Sequence, residues 1–427
     1  MPRSGGGIYS KGSPSVVSGT TIQSAAYNTT IDDLVTDANA ARPISAGGTG
    51  AANAADARTN LGAAALAGAS AQTFDVADAT TDTHAVNRAF ADTRYLRSAY
   101  RNRIVNPAMQ ISQERGTTLV DVTTIAAYTV DQWQAYLSTT PGGTLRAQQV
   151  ASVSPAGSPF RLRFTAQAAD ASIAAADVYS VLQAIEGQMI ADARFGTASA
   201  RQIVVRFGVR SSLAGTFGVR LANSGGTRSY VTTITIAGGE INTDLLRTIA
   251  IPGDTSGTWL TDTGIGLTLQ ITLAAGTTWQ GTAGSWQGSN ITTTSGQTNF
   301  MGTANATFEL FDVGLYVDPL AIGVAPPFEV PAWDEDLRAC QRYYFSSQQA
   351  SYGFPCPSTG GYAAYQRYDF PVSMRVDAVV TTSYTSQINI TAINAGTRTR
   401  NFFTDQIVGT TSTNTTWVAS YVASARF

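Results

Sequence analysis

Alternation of apolar and polar residues is the clearest pattern in the chain, and it is concentrated between residues 101 and 323. The segment "FRLRFT" sets Phe160, Leu162 and Phe164 against Arg161 and Arg163. The same period of two recurs at Ile203, Val205, Phe207 and Val209, and again at Ile265, Leu267, Leu269, Ile271 and Leu273. A sustained period of two predicts strands that bury one face.

Further strand-like segments in this region are separated by Gly-rich turns: "GTFGVRLA", "SYVTTITI", "LLRTIAI" and "ATFELFDVGLYV". About ten strands in roughly 220 residues favour an antiparallel β-sandwich, and among sandwiches a jelly roll. The fold class predicted for the whole chain is mainly β, with an extended and short-helical N-terminal part and a small C-terminal β domain.

Residues 1–45 are predicted to form an N-terminal anchor. After a Gly- and Ser-rich start, "NTTIDDLVTDANAARP" predicts a short helix that Thr30 caps, with Asp32 and Asp33 in its first turn. One face of this helix is apolar and consists of Ile31, Leu34, Val35 and Ala38. A helix this short is marginal alone. It therefore needs a partner, which is either a copy of itself or a docking protein.

Residues 46–100 are predicted to form a thin connector that is rich in Ala and Gly. Its second half predicts a helix from about Asp82 to Tyr95 with a narrow apolar stripe, which suits a bundle of identical chains. Few bulky side chains are available to stabilise such a region in one chain. Closed symmetry among several chains is the usual way to share the burial, so an assembly of identical chains, such as a trimer, is expected.

Residues 324–427 begin with the Pro-rich segment "APPFEVPAW". The following "DEDLRACQRYYF" predicts one or two helical turns that Asp334 caps, and the remaining segments are strand-like. The last strand should hold Trp417, Tyr421 and Phe427 in place. The chain is therefore predicted to have four parts, 1–45, 46–100, 101–323 and 324–427.

Composition narrows the classes of function. Charged residues are 13% of the chain and the net charge is −2, so no overall field attracts nucleic acid or anionic lipid. No apolar run approaches ~18 residues, so membrane insertion is not expected. The start "MPRSGGGIYSKGSP" lacks the apolar core of a secretory signal, so synthesis in the cytoplasm without a signal peptide is expected.

Metal and cofactor sites are not expected from the sequence. Cys340 and Cys356 are either two free thiols or one bridge, and without a second Cys pair or a nearby His they do not suggest zinc. His84, the single histidine, lies in the connector. It is expected on a helix surface or at a trimer axis, where a ring of three copies binding a metal is the alternative.

Four stretches resemble bacteriophage tail-fibre proteins that carry a carbohydrate-binding-like jelly-roll domain. They are "AGGTGAANAADARTNLG" at 46–62, "NRIVNPAMQISQERG" at 102–116 with "YTVDQW" at 128–133, "EDLRACQRYY" at 335–344 and "FPVSMRVDAVVT" at 370–381. The resemblance implies a homotrimer on the virion, a phage tail or baseplate protein docked at the N-terminus, and a host surface polysaccharide or lipopolysaccharide as the receptor. It carries over no defined sugar site.

Sugar sites usually combine an aromatic ring with planar polar groups, and two stretches have this mixture. The first is the long polar loop 277–300, where Trp279 and Trp286 lie near Gln280, Gln287 and Asn290. The alternative is that a Trp plugs the end of the sandwich and the loop packs on the next protomer.

The second stretch, 346–370, is favoured because Tyr and Gly beside small polar residues are typical of adaptable binding surfaces. Its candidate glycan-binding residues are Tyr352, Tyr362, Tyr365, Arg367, Tyr368 and Asp369. The alternative is a Tyr-rich interface between subunits. Binding at this end of a fibre would place the receptor site distally on the virion.

Catalysis is not expected. Asp334, Glu335 and Asp336 form an acidic run that resembles a pair of hydrolytic carboxylates, but acids at a helix start more simply interact with the helix dipole. A Ser/His/Asp triad has no suitable histidine. The expected function is a non-enzymatic receptor-binding tail fibre. The alternatives are a structural collar, head or baseplate fibre with little binding activity, and a glycan-modifying tailspike.

Overall fold

The computed structural model describes residues 19, 21, 23–39, 49, 51, 53–60, 101–122, 126–137, 142–354, 363–409 and 415–427. The chain divides into two units, Met1–Ala91 and Asp92–Phe427, which are described separately here. The predicted helix at 82–95 lies outside the described residues, as do His84, Cys356 and Tyr362.

Helix α1 spans Ser24–Asn39, so it begins earlier than the sequence pattern predicted. Thr30 lies inside the helix and does not cap it, and its first turn contains no acidic residue. The prediction missed the N-terminal extension because it started at the first polar cap candidate. The preceding "SAAYNT" contains two Ala residues with high helix propensity. Ile31, Leu34 and Val35 are exposed in the single chain.

Helix α2, Ala54–Asn60, gives the Ala/Gly-rich connector a local structure that the sequence analysis did not predict. Asn53 caps it, because its Oδ1 accepts the backbone N–H of Asp56 at 2.9 Å and its Nδ2 donates to the Asp56 carboxylate at 2.7 Å. At the other end, the Asn60 side chain donates to the carbonyl of Thr49 at 3.1 Å. These bonds cap the N-terminus of α2 and connect its last residue to the segment before the helix.

The second unit begins with two antiparallel sheets that face each other. Their strands are β1 Val120–Val122, β2 Ala126–Val130, β3 Trp133–Leu137, β4 Thr144–Ala151, β5 Phe160–Ala168, β6 Val178–Glu186, β7 Gln202–Ser211, β8 Gly215–Ala222, β9 Ser229–Ile236, β10 Leu245–Ile251, β11 Ile265–Ala275, β12 Trp286–Gln287 and β13 Thr307–Asp318. The six-stranded sheet has the order β1-β4-β5-β13-β7-β10, and the seven-stranded sheet has the order β12-β9-β8-β11-β6-β3-β2. One apolar core fills the space between them, so the predicted antiparallel β-sandwich is confirmed.

The period of two correctly identified the inward face of these strands. Leu162, Phe164, Val205, Phe207 and Leu269 are buried in the core. The outward positions are not uniformly solvated, however, since Arg161, Val204, Gln270 and Thr272 are also buried. Loops and ion pairs cover parts of both outer faces, which strand periodicity alone does not reveal.

Helix α3, Gly187–Ile190, is a single turn within the sandwich. A smaller module follows the sandwich and begins with helix α4, Trp333–Gln341. The strands of the module are β14 Tyr344–Ser346, β15 Ala350–Phe354, β16 Ala363–Asp369, β17 Val379–Ile388, β18 Ile390–Arg398, β19 Phe402–Gly409 and β20 Thr415–Ser424. Strand β20 pairs with β14, β15 and β17, while β16, β19 and β18 form a second sheet.

The predicted C-terminal β domain and its closing strand agree with this arrangement. Trp417 and Tyr421 of β20 are buried, and the Phe427 ring packs against Tyr343. The predicted cap of α4 was wrong, because the helix starts at Trp333 without a side-chain cap and Asp334 lies in its first turn. The preceding Ala332 has no side-chain acceptor.

Two of the stretches that resemble tail-fibre proteins meet at the junction of sandwich and module. The backbone N–H of Asn106 donates to Asp336 Oδ1 at 3.0 Å, and Gln110 Nε2 donates to Asp336 Oδ2 at 3.1 Å. Gln113 Nε2 donates to the carbonyl of Tyr344 at 2.7 Å. The segment "NRIVNPAMQISQERG" therefore forms the surface against which "EDLRACQRYY" packs.

Arginine side chains complete this junction. Arg342 makes two bonds to Glu186, and Arg375 donates to the carbonyls of Thr263, Ala425 and Arg426. The Arg426 guanidinium lies 4.1 Å from the centre of the Tyr128 ring and 3.9 Å from that of the Tyr344 ring. The planar guanidinium suits both stacking and paired hydrogen bonds, which lysine cannot provide.

The buried Asp336 carboxyl predicts a pH dependence of stability. Burial raises its pKa to about 6, against which the hydrogen bonds from Gln110 and Asn106 act. The folded state therefore holds a proton that the unfolded state releases near pH 4, so stability should fall as pH rises from about 4 to 6.

We expect Asp336→Asn to remove this slope. The difference in unfolding free energy, variant minus wild type, should increase by up to about 3 kcal/mol between pH 4 and pH 7. Denaturant unfolding at several pH values measures it. A difference that stays constant with pH would show that the carboxyl titrates normally in the folded protein.

Candidate functional site

Residues 277–300, here termed the covering loop, lie on the outer face of the seven-stranded sheet. The Thr272 hydroxyl of β11 donates to the carbonyl of Thr292 at 3.0 Å, and Gln297 Nε2 donates to the carbonyls of Thr272 and Leu273 at 3.1 Å each. Gly218 of β8 permits this approach, because a Cβ there would lie 2.8 Å from the Thr292 carbonyl oxygen. Polar outward positions on β11 therefore bind the covering loop.

Beside the covering loop, the sheet remains accessible and forms the floor of an open cavity of about 280 Å³, here termed the cleft. Four strands supply one row of the floor, in which the paired residues are Gln134, Leu182, Gln270 and Arg220 of β3, β6, β11 and β8. This row exists only once the strand register is set, since its members are far apart in sequence.

The walls of the cleft combine aromatic and polar groups. Tyr136 and Trp279 contribute partly buried rings, and the indole N–H of Trp279 donates to the carbonyl of Ala176 at 2.8 Å. The β8–β9 turn contributes Asn223 and Gly226, and the covering loop contributes Asn290. Gly226 has a φ of +63°, and a Cβ there would lie 2.9 Å from the Asn290 side chain. Because Gly226 has no Cβ, the Asn290 side chain can lie at the rim of the cleft.

Arg220 is the one charged side chain among the residues described as lining the cleft. Its Nη1 donates to Gln270 Oε1 at 2.8 Å and its Nη2 donates to Asn290 Oδ1. Gln270 is itself oriented by its bond to the Ser180 hydroxyl at 2.9 Å. Burial lowers the pKa of Arg220 to about 10, so it stays protonated at neutral pH.

The two predicted tryptophans have different surroundings. Trp279 lines the cleft, whereas Trp286 packs edge-on against Phe195 and Trp259 and donates its indole N–H to the carbonyl of Pro252 at 2.8 Å. Trp286 is therefore part of an aromatic cluster that packs against the core of the sandwich.

The cleft residues that the sequence analysis missed are Gln134, Tyr136, Arg220 and Gln270. Each occupies an outward position on a strand whose inward positions are apolar, for example Ala135 and Leu137 beside Tyr136. The signal available in the sequence was the presence of large polar or aromatic side chains at outward positions of central strands. The sequence analysis did not consider these positions as a site.

The residues of the second predicted site that belong to β16 lie on opposite faces of that strand, because side chains alternate along it. Tyr368 of β16 is 3% exposed and its hydroxyl accepts the Trp417 indole N–H at 3.1 Å. Tyr352 packs against both rings, at 5.1 Å from Tyr368 and 5.8 Å from Trp417. The prediction that Tyr368 contacts a ligand is therefore corrected, since its ring belongs to the core of the module.

Tyr365, Arg367 and Asp369 lie on the opposite, outward face of β16. Tyr365 is 67% exposed, and its hydroxyl accepts Gln406 Nε2 at 3.2 Å. Arg367 lies 3.8 Å from the centre of the Phe402 ring and 2.7 Å from Asp369. These three residues are exposed and lie on one face of β16.

The acidic run at α4 does not form a carboxylate pair across an open site. Asp334 and Glu335 are exposed, whereas Asp336 is buried at the junction. In the part of the chain that the structure describes, no group of three or more His, Cys, Asp or Glu side chains is placed to hold a metal ion. Cys340 is a buried free thiol. No helix within the described ranges is long and apolar enough to cross a membrane.

No protein-family model and no curated protein matches this sequence. Among solved structures, it is similar to the family 11 carbohydrate-binding module from Clostridium thermocellum in complex with a β-1,3-1,4-mixed-linked tetrasaccharide. The sequence identity is 12%, the match covers 45% of this chain and 94% of that one, and the TM-score is 0.25.

Two further structures show likenesses of the same strength. The CBM22-1 xylan-binding domain from Paenibacillus barcinonensis Xyn10C has 9% identity over 48% of this chain and 96% of that one, with a TM-score of 0.22. The enzymatically active domain of bacteriophage CBA120 tailspike protein 4 has 8% identity over 51% of this chain, with a TM-score of 0.27. The match spans 21% of that tailspike chain. At these TM-scores the likenesses carry no argument about function.

Proposed function

We propose that this chain is a bacteriophage tail fibre, a non-enzymatic receptor-binding protein that attaches the virion to a host surface glycan. The observation that supports binding is the cleft, where partly buried rings of Tyr136 and Trp279 stand beside the amides of Gln134, Gln270 and Asn290. The support for a fibre is the ordered set of tail-fibre-like stretches in the sequence.

The chemistry of the cleft suits a carbohydrate. A sugar ring offers an apolar C–H face and a rim of hydroxyls, each of which donates and accepts hydrogen bonds. Aromatic rings match the face, and side-chain amides, which both donate and accept, match pairs of hydroxyls. A concave site with a few convergent polar groups is also the usual form of a ligand pocket.

The N-terminal unit is proposed to provide attachment and assembly. Ile31, Leu34 and Val35 are exposed on α1 in the single chain, so a partner is needed to cover them. We propose two partners for this region: sister chains in a homotrimer, and a phage tail or baseplate protein. Three weak clefts on one fibre would then combine through avidity.

Replacing Tyr136 by Ala should weaken binding of the host polysaccharide about 5- to 30-fold, corresponding to roughly 1–2 kcal/mol for a lost ring contact. Tyr136→Phe keeps the ring and should retain most of the affinity. Titration of purified protein with surface polysaccharide from a susceptible host, followed by Trp fluorescence or calorimetry, measures the effect.

Tyr365→Ala is the matched control, because it removes a ring from the second candidate site, the exposed face of β16. If Tyr365→Ala abolishes binding while Tyr136→Ala does not, the site is on the C-terminal module and the cleft proposal is wrong. New reducing ends in the incubated polysaccharide would contradict the non-enzymatic part. If neither the wild type nor the control variants show saturable binding, the receptor-binding role is contradicted.

A further inference from the structure

Arg220 is a buried cation without a matching anion. Its residue is 7% exposed, and its Nε–H has no hydrogen-bond partner in the part of the chain that the structure describes. Both bonds that it makes are to neutral amides, those of Gln270 and Asn290. Beside desolvation, the Tyr136 hydroxyl is the one group that affects its pKa.

The other buried arginine among the described residues of the sandwich is paired differently. Arg161 is bound by Asp244 and Glu309, and the partly buried Arg228 is bound by Asp254. Burying an unpaired charge costs free energy, which a carboxylate within the fold normally offsets. Arg220 is thus a departure from the pattern of its own domain, and it occurs at the floor of the cleft.

We infer that the cleft selects a glycan bearing a carboxylate, such as a uronic or sialic acid residue, and that Arg220 is the group that binds this carboxylate. The inference rests on the proposed glycan-binding function and specifies the class of sugar. A guanidinium has five N–H donors, of which two are used by Gln270 and Asn290. Its planar edge fits the two oxygens of a carboxylate.

The charge count favours a carboxylate over a phosphate monoester. A phosphate monoester carries about −1.5 to −2 charges at neutral pH, which one guanidinium cannot neutralise. The other side chains that line the cleft carry amide, hydroxyl, aromatic or aliphatic groups. One unit of negative charge therefore matches the site.

Asn290 is positioned to yield to the ligand. It is exposed on the covering loop, and its Oδ1 accepts a hydrogen bond from Nη2 of the guanidinium. A sugar carboxylate that displaces this neutral oxygen replaces a bond between a cation and a neutral amide by a contact between opposite charges, which can also be bidentate. Gln270 stays in place, because Ser180 holds its amide.

The test compares acidic oligosaccharides with their own neutral esters. The probes are trigalacturonic acid, a hyaluronan tetrasaccharide and a trimer of α-2,8-linked sialic acid, each measured against its carboxyl methyl ester by calorimetry on the full chain. We expect at least one acid to bind about 10- to 100-fold more tightly than its ester, and Arg220→Gln to abolish that preference.

Asn290→Asp is the second variant, since it places a carboxylate of the protein itself on Arg220. It should also abolish the acid preference, and it should raise the melting temperature by pairing the buried charge. Arg220→Gln should leave the melting temperature unchanged or higher. A large drop would mean that Arg220 serves folding, which overturns its assigned role.

The outcomes separate this inference from the proposed function. If host polysaccharide binds in a Tyr136-dependent manner but every acid equals its ester, the acidic-sugar inference fails and glycan binding stands. An acid preference that survives Arg220→Gln also overturns the inference. Absence of binding to the host polysaccharide and to both members of every pair overturns the proposed function as well.

Discussion

Replacing Arg161 by Ala is expected to lower the free energy of unfolding of the sandwich by about 3–5 kcal/mol, the usual cost of breaking a buried ion pair. The Arg161 side chain is 3% exposed and donates to both carboxylate oxygens of Asp244, at 2.7 and 2.8 Å. It also contacts Glu309 at 3.2 Å and stacks on the Phe311 ring at 4.3 Å. The variant leaves Glu309 with Arg163 alone and Asp244 with Arg210 at 3.6 Å, and it removes this packing.

Arg163→Ala is the matched control in the same network. Arg163 binds the same Glu309, at 2.6 Å, but its own side chain is 39% exposed, against 3% for Arg161. Its removal leaves Glu309 paired with Arg161, so a change of at most about 1 kcal/mol is expected. Chemical denaturation measures both variants. Equal losses for Arg161→Ala and Arg163→Ala would contradict the view that burial makes Arg161 the dominant member.

The role of Arg161 shows where prediction from the sequence stopped. The alternation of "FRLRFT" placed Leu162 and Phe164 in the core correctly, because burial of one strand face depends only on local periodicity. The same rule assigned Arg161 to solvent. Its partners are 83 and 148 residues away in the chain, and no local pattern identifies such a pairing.

The candidate sites divide in the same way. Alternation along β16 separates Tyr365, Arg367 and Asp369 from Tyr368, so the sequence did contain the signal that Tyr368 faces the core. Local sequence does not contain the row that joins Gln134 to Arg220, since the register of three strand pairs creates it. Side chains that act together in the cleft could therefore be identified as outward-facing but not as neighbours.

The junction between the sandwich and the C-terminal module depends on another pair of distant residues. Glu186 ends β6, and its side chain is 1% exposed. Its carboxylate accepts Arg342 Nε at 2.9 Å, Arg342 Nη2 at 2.6 Å and the Tyr343 hydroxyl at 3.1 Å. These bonds hold the segment after α4 against the sandwich, so the position of the whole module depends on them.

Arg342→Ala is expected to destabilise this junction by about 2–4 kcal/mol, somewhat less than for Arg161 because Arg342 is partly accessible. The reason is that Glu186 stays buried after losing its cation. Calorimetry should then show the C-terminal module melting before the sandwich, and limited proteolysis should cut between them. The wild type should unfold as one unit by both measures.

Arg146→Ala provides the control, because Arg146 makes an equivalent two-bond contact with Asp121 on the open surface. No measurable change is expected there, since water replaces the partner. A single unshifted transition for Arg342→Ala would mean that the remaining junction contacts, among them the apolar contacts of Val105, Ile111 and Tyr343, suffice to dock the module. Two transitions would show that the buried Glu186 carboxylate couples the unfolding of the sandwich to that of the C-terminal module.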